Sequence, residues 1–298
     1  MQLSGVFAAS LTPLSSDLKI NHPLLIRHAK WLLGAGCNGV VFLGTTGEAN
    51  SFSVDERIAL IDAVAESDLP KERIMIGTGC CAFPETVKLS IHALDRGYET
   101  LLLLPPFYYK NVTDQGLELY FRGIIEQIGD RQVKIILYHF PKFTGVPFSL
   151  SLLERLVRLY PQMICGIKDS GGDFDNMRAV CSALEGFAVF SGTEKYLLDI
   201  LKIGGAGCIS ATANVTGRYV AEVYHNWRNG NPAEQLQNRL STIRKLMDAY
   251  PLIGMLKKLV QMKENNPDWQ YTRPPNLIMQ EDTYSELIQK LTQQDFTF

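Results

Sequence analysis

The chain lacks any stretch able to cross a bilayer: in 298 residues of 46% hydrophobic and 20% charged content, no apolar run nears the roughly 20 residues a spanning helix needs. It also lacks an excess of charge. A formal net charge of −2 and the absence of a basic cluster leave no field for nucleic acid. The six cysteines, Cys37, Cys80, Cys81, Cys165, Cys181 and Cys208, show no C-x-x-C spacing and no dense framework. That argues against a zinc module or a disulfide scaffold, and they read as reduced and mostly core. Met1-Gln2-Leu3-Ser4 leads into a strand-like segment with no basic n-region or apolar h-region, so a cytoplasmic location is expected. No G-x-G-x-x-G follows the first strand-like run, which weakens a dinucleotide-binding open sheet.

What is present is a rhythm of short β-rich runs followed by helical patterns. Val6–Leu11 precedes a helix at Pro23–Leu33, and Gly39–Leu43 precedes one opened by the capping box Ser53-Val54-Asp55-Glu56. Arg73–Gly77 with Pro84–Arg96, Thr100–Leu104 with Asp114–Ile128, and Lys134–Tyr138 with Leu150–Leu159 continue it. Met163–Lys168 with Asp173–Leu184, Ala188–Ser191 with Lys195–Ile203, and Gly207–Ser210 with Arg218–Trp227 complete eight units. Alternation of this kind implies parallel pairing, and eight units close a (β/α)8 TIM barrel over residues 1–229, with a doubly wound sheet as the alternative. Residues 230–298 are helical only, near 232–249, 252–263 and 283–291, and read as an annex packed on the barrel.

Within the sixth unit, Cys165-Gly166-Ile167-Lys168-Asp169 ends an apolar run in a lysine. In step with Ile164 and Gly166, Lys168 would point inward at the C-terminal end of its strand, where barrel enzymes keep their chemistry. Loss of water disfavours an ammonium and favours the free amine, a nucleophile for ketones. The bland alternative is a lysine that snorkels outward or pairs with Asp169. Tyr138, in step with Ile136, would stand one strand away, about 4.8 Å at the backbone, as a proton donor or as a core tyrosine. His139 should face the other way. Gly44-Thr45-Thr46-Gly47-Glu48, after the second strand, combines hydroxyls with accessible amides and suits a carboxylate, or is a plain βα turn. Pro105-Pro106-Phe107-Tyr108-Tyr109 could be a lid, a subunit contact or packing.

Together Gly44-Thr45-Thr46-Gly47-Glu48, Tyr138-x-x-Pro141 with Thr144-Gly145, and Gly166-Ile167-Lys168-Asp169 resemble, in order and spacing, the dihydrodipicolinate synthase/N-acetylneuraminate lyase family of pyruvate-dependent class I aldolases, over essentially the whole chain. The resemblance implies that Lys168 forms the pyruvyl imine, Tyr138 is the acid/base and Thr45 relays protons. It implies that Thr46 and Gly47 bind the pyruvate carboxylate and that Ile209 gives a backbone contact. Tyr109, with Tyr108 as the alternative, would complete the relay from a neighbouring subunit of a homotetramer built as a dimer of dimers. No metal or organic cofactor is implied.

The chain departs from the synthases where they carry an arginine for a second substrate carboxylate: that place is Phe143, and Lys142 lies one position early. If the segment is extended, Lys142 points away from the side that Phe143 takes. His139 replaces the usual asparagine. Ser170, Gly192, Thr193 and Glu194 look closer to sugar-acid aldolases, with Ser170 and Glu194 expected to hold substrate hydroxyls; Lys195 argues against a sialic acid. A lyase joining pyruvate to the aldehyde half of a 2-keto-3-deoxy sugar acid is the leading expectation. Condensation of pyruvate with aspartate semialdehyde and a non-catalytic 2-oxo acid binder are the alternatives. An unrelated barrel with a metal or phosphate site is a further one, weakened by the absence of clustered His, Asp and Glu.

Overall fold

The computed structural model describes residues 3–297, so the outermost positions of the two regions expected above, residues 1, 2 and 298, lie outside it. Eight parallel strands close into a barrel in sequence order: β1 Gly5–Ala9, β2 Gly39–Phe42, β3 Ile74–Gly77, β4 Thr100–Leu103, β5 Lys134–His139, β6 Ile164–Asp169, β7 Ala188–Ser191 and β8 Gly207–Ser210. The (β/α)8 barrel expected from the alternation is therefore the observed fold. β1 pairs with both β2 and β8, which removes the open edge that a doubly wound sheet would leave.

The helices follow the strands: α1 His22–Gly34, α2 Val54–Ala65, α3 Phe83–Asp95, α4 Asp114–Ile128, α5 Pro141–Thr144, α6 Leu150–Leu159, α7 Phe174–Ala183, α8 Leu197–Lys202 and α9 Ala213–Arg228. α2 starts where the sequence marked it, with Ser53 and Glu56 exchanging the two capping hydrogen bonds. The short α5 was not expected; four residues are too few to show a helical period. The period also failed in β6. Ile135 pairs with Ile164 but Ile136 pairs with Gly166, so a bulge at Cys165 shifts the alternation. Ile164 consequently packs in the outer layer between sheet and helices, while Cys165 leans on the barrel interior. Gly166 faces inward, where a Cβ would stand 2.4 Å from the Ala188 carbonyl oxygen.

Strand alternation divides the core in two. Phe7, Val41, Met75, Leu102, Ile136, Phe190 and Ile209 fill the barrel interior, with Phe7 edge-on to Phe190 at 5.7 Å. The larger layer lies between strands and helices. Of the cysteines, only Cys37, Cys80 and Cys208 are buried; Cys165 and Cys181 are half-buried and Cys81 is exposed, so the expectation of mostly core thiols holds for half of them.

The annex consists of α10 Glu234–Met247, α11 Leu252–Glu264 and α12 Glu281–Thr292. Trp269 in its α11–α12 connection is fully buried, edge-on to His28 of α1 at 4.8 Å, and donates its indole N–H to Glu264 at 3.0 Å. His28 in turn meets Asn214 of α9 at 2.8 Å. Full burial of a large apolar side chain such as Leu287 contributes about 1.5–3 kcal/mol. Among the described residues no helix is long and apolar enough to cross a membrane.

Candidate active site

Lys168 and Tyr138 are direct register partners at the C-terminal ends of β6 and β5. Both are buried. The lysine Nζ stands over the tyrosine ring, 4.2 Å from its centroid, and the tyrosine hydroxyl lies 3.5 Å from Thr45 Oγ1. Asp169 does not pair with Lys168. Alternation turns it outward, where its carboxylate accepts from the Gly171 amide and from Asn176 Nδ2, both at 2.7 Å. His139 also faces out and accepts from the Phe148 amide at 3.2 Å; burial pushes its pKa down against the pull of Asp169.

The loop after β2 has an unusual backbone. Leu43 and Glu48 both take left-handed conformations, each with φ of 57°. Thr45 and Thr46 line the cavity, and no acceptor among the described residues takes their amide N–H groups. Gly47 differs from expectation. Its carbonyl accepts from Thr12 at 2.8 Å, and it packs against Ser10 instead of lining the cavity.

A cavity of about 980 Å³ opens from this mouth. Its barrel side carries Thr45, Thr46, Tyr138, Lys168, Ser170 and Gly192, as the sequence suggested. Gly192 fits only as glycine, since a Cβ there would stand 2.0 Å from Ser170 Oγ and 2.8 Å from the Asp169 carbonyl oxygen. The rings of Tyr138, Phe140 and Phe143 form a stacked ladder beside it. The annex supplies the opposite wall, through the stretch from Tyr250 to Gly254 and that from Pro275 to Gln280. Helical periodicity carried no sign of that role, because those residues sit at helix ends and in connections.

Two expectations, for Glu194 and Lys142, are corrected. Glu194 is fully buried behind the wall and does not line the cavity. Its carboxylate is taken up by Arg244 Nη1 at 2.9 Å and by the hydroxyls of Ser210, Thr212 and Thr216. The side chain of Ile209 is inside the barrel, opposite Phe7 of β1, and the contact expected of this residue is one of backbone. Lys142 is not aimed away from Phe143: the segment is the helical turn α5, in which neighbours diverge by about 100° and not 180°, and both side chains line the cavity. Tyr109, expected to act from a neighbouring subunit, stands apart from Tyr138 of its own chain. It is 74% exposed, edge-on to an equally exposed Tyr108 at 5.3 Å.

Two buried ion pairs tie the mouth to the annex, and neither was visible in the sequence. Glu48 meets Lys257 of α11, both side chains being fully buried. Burial pulls the lysine's pKa below its ordinary range and Glu48 pulls it back. Glu194 meets Arg244 of α10, which also donates to Asp248 at 2.7 Å; Asp248 lies 3.3 Å from Lys195. Burial opposes the charge on Arg244, and its two carboxylates outweigh that, holding its pKa above the usual value.

An amine at the mouth of a parallel barrel, paired with a phenol, defines the class: a lyase of the class I aldolase type. The chain belongs to the dihydrodipicolinate synthetase family, whose sequence model matches residues 2–294. It is 32% identical to the 4-hydroxy-tetrahydrodipicolinate synthase of Methanopyrus kandleri, covering 97% of this chain and 95% of that protein. An uncharacterized DapA-like lyase of Chloroflexus aurantiacus is 30% identical over 89% of this chain and 88% of its own length. The crystal structure of YagE from E. coli K12 in complex with pyruvate superposes with a TM-score of 0.89 at 26% identity, covering 99% of both chains.

Proposed function

We propose that this lyase acts on pyruvate through an imine at Lys168. The observation that carries the reading is the stacking of Lys168 Nζ over the Tyr138 ring with Thr45 behind the phenol. The amine adds to the pyruvate ketone, and the resulting hydroxyl leaves as water once protonated, giving a C=N bond. Its protonated nitrogen takes up the electron pair released when the pyruvate methyl carbon loses a proton or the aldehyde, giving an enamine whose carbon attacks the aldehyde or takes a proton, so the aldol step needs no cofactor or metal. Tyr138 moves the protons, Thr45 relays them, and Thr46 with the loop amides holds the carboxylate. Exposed Tyr109 fits a relay completed from a second subunit in a homotetramer. A cytoplasmic location is part of the same reading.

For the other substrate, a hydroxylated aldehyde of the 2-keto-3-deoxy sugar acid type is the first choice. Ser170, Thr193, Tyr196 and Asn276 line the distal half, and Arg244 is already occupied by two carboxylates. Lys142 favours a second reading. It lines the cavity with its Nζ over Gly172, and a lone ammonium could take the carboxylate of aspartate semialdehyde, as the relatives named 4-hydroxy-tetrahydrodipicolinate synthase invite.

Pyruvate with borohydride should add irreversible mass at Lys168, and Lys168→Ala should abolish it. Absence of adduct, or labelling at another lysine alone, sinks the imine. Parallel assays of cleavage of 2-keto-3-deoxy sugar acids and of condensation with aspartate semialdehyde decide the substrate. Condensation with kcat/KM above roughly 10⁴ M⁻¹s⁻¹ and no comparable cleavage replaces the first reading with the second.

A further inference from the structure

We infer that Lys257, an annex residue that touches no part of the cavity, is a positioning residue for the loop Gly44–Glu48 and controls how tightly that loop holds a 2-oxo acid carboxylate. The inference rests on the pyruvate reading above. Its starting point is the backbone at Glu48. A residue with a Cβ adopts the left-handed region at a steric cost and keeps it only where the surroundings over-determine it. Here the side chain does so. One carboxylate oxygen meets Lys257 Nζ, and the other accepts from the Arg273 amide at 3.1 Å and from Asn276 Nδ2 at 3.4 Å. All three partners belong to the annex.

Glu48 is coupled directly to the residues that face the ligand. Its amide donates to the Thr45 carbonyl at 3.1 Å, and the Ala49 amide donates to the Gly44 carbonyl at 3.3 Å, which closes the loop. The direction of the Thr45 and Thr46 amides therefore follows the torsion of Glu48. Lys257 is itself held from the far side, donating to the Tyr271 carbonyl at 2.7 Å. Without the ammonium, the fully buried carboxylate loses the cation it is directly paired with. Its route to water is a rotation out of the left-handed well, and that rotation turns the loop amides away from the ligand. Neither Glu48 nor Lys257 lines the cavity, so the effect reaches the ligand only through the backbone.

Borohydride trapping over a range of pyruvate concentrations tests this on the full chain without knowledge of the aldehyde. Lys257→Met is expected to raise the half-saturating pyruvate at least about tenfold while Lys168 is still trapped to completion. Leu287→Ala, in the α12 core, is the control: it lowers thermal stability but leaves half-saturation within about twofold, since it shares no partner with the loop. If Lys257→Met fails to fold, Glu48→Gln carries the same expectation at about threefold or more, because the amide loses the charge that Lys257 grips. A folded variant with unchanged half-saturation overturns the inference, as does an equal shift in Leu287→Ala. No adduct in the unaltered protein would overturn the pyruvate reading and the inference with it.

Discussion

Glu48 after β2 and Glu194 after β7 are both fully buried and both meet a cation from the annex, but their surroundings differ. The first pair is sealed: Glu48 and Lys257 are shut off from the cavity and bound otherwise to backbone and amide groups. The second is open at one end, since Arg244 lines the cavity and the chain of charges runs through Asp248 to Lys195 at the rim. Glu194 also has three hydroxyls and would keep partial compensation on its own. The sealed pair thus governs a backbone shape beside the proposed pyruvate end, and the open chain shapes the wall at the proposed aldehyde end.

Arg244→Met should produce the largest change of stability on the open side. Removing one partner of a buried pair costs about 3–5 kcal/mol, read as a fall in the urea midpoint at unchanged slope. Half-saturating pyruvate in trapping should stay put, in contrast to Lys257→Met. A stability loss below about 1 kcal/mol, or a pyruvate effect equal to that of Lys257→Met, would erase the distinction between the two pairs.

A pH measurement sharpens the sealed side, because Arg273, whose amide binds Glu48, is itself gripped by Glu56. The hydrogen bond from Arg273 is the main cause that lowers the Glu56 carboxyl from 4.5 to about 2. Since the folded pKa is depressed, the stabilisation is fully present above pH 4.5 and disappears as pH falls through about 2. The difference in melting temperature between the unaltered protein and Glu56→Gln should therefore shrink across that window; a constant difference would contradict it.

Lys195→Ala is the smallest expected change. Its pair with Asp248 is about one third exposed on each side, so stability should move by less than about 1 kcal/mol. Only kinetics with the aldehyde partner should respond. Altered trapping by pyruvate alone would show that the rim charge reaches the other end of the cavity.

Legibility in the sequence followed the range of the interaction. The Ser53–Glu56 capping box, all eight strands and the inward aim of Tyr138 and Lys168 rest on neighbours within a few positions. The errors arose where a local rule was interrupted. The bulge at Cys165 moved Ile164 to the outer layer, and the α5 turn brought Lys142 to the cavity beside Phe143. Glu194 failed for another reason. An acidic residue in a loop after a barrel strand reads as a ligand for substrate, and nothing nearby indicates that Arg244, fifty positions later, will claim it.

By itself the sequence determined the barrel, because strand and helix periods and eight repetitions of them are written in local order. It also determined that Lys168 points inward at the C-terminal end of its strand, because alternation along the last residues of β6 is a local rule. Tertiary structure alone decided which carboxylates are free to meet substrate and which are held by the annex. Burial and Coulomb attraction act between side chains brought together only when the chain closes on itself, and the spacing of Glu48 and Lys257 along the chain carries no trace of that meeting.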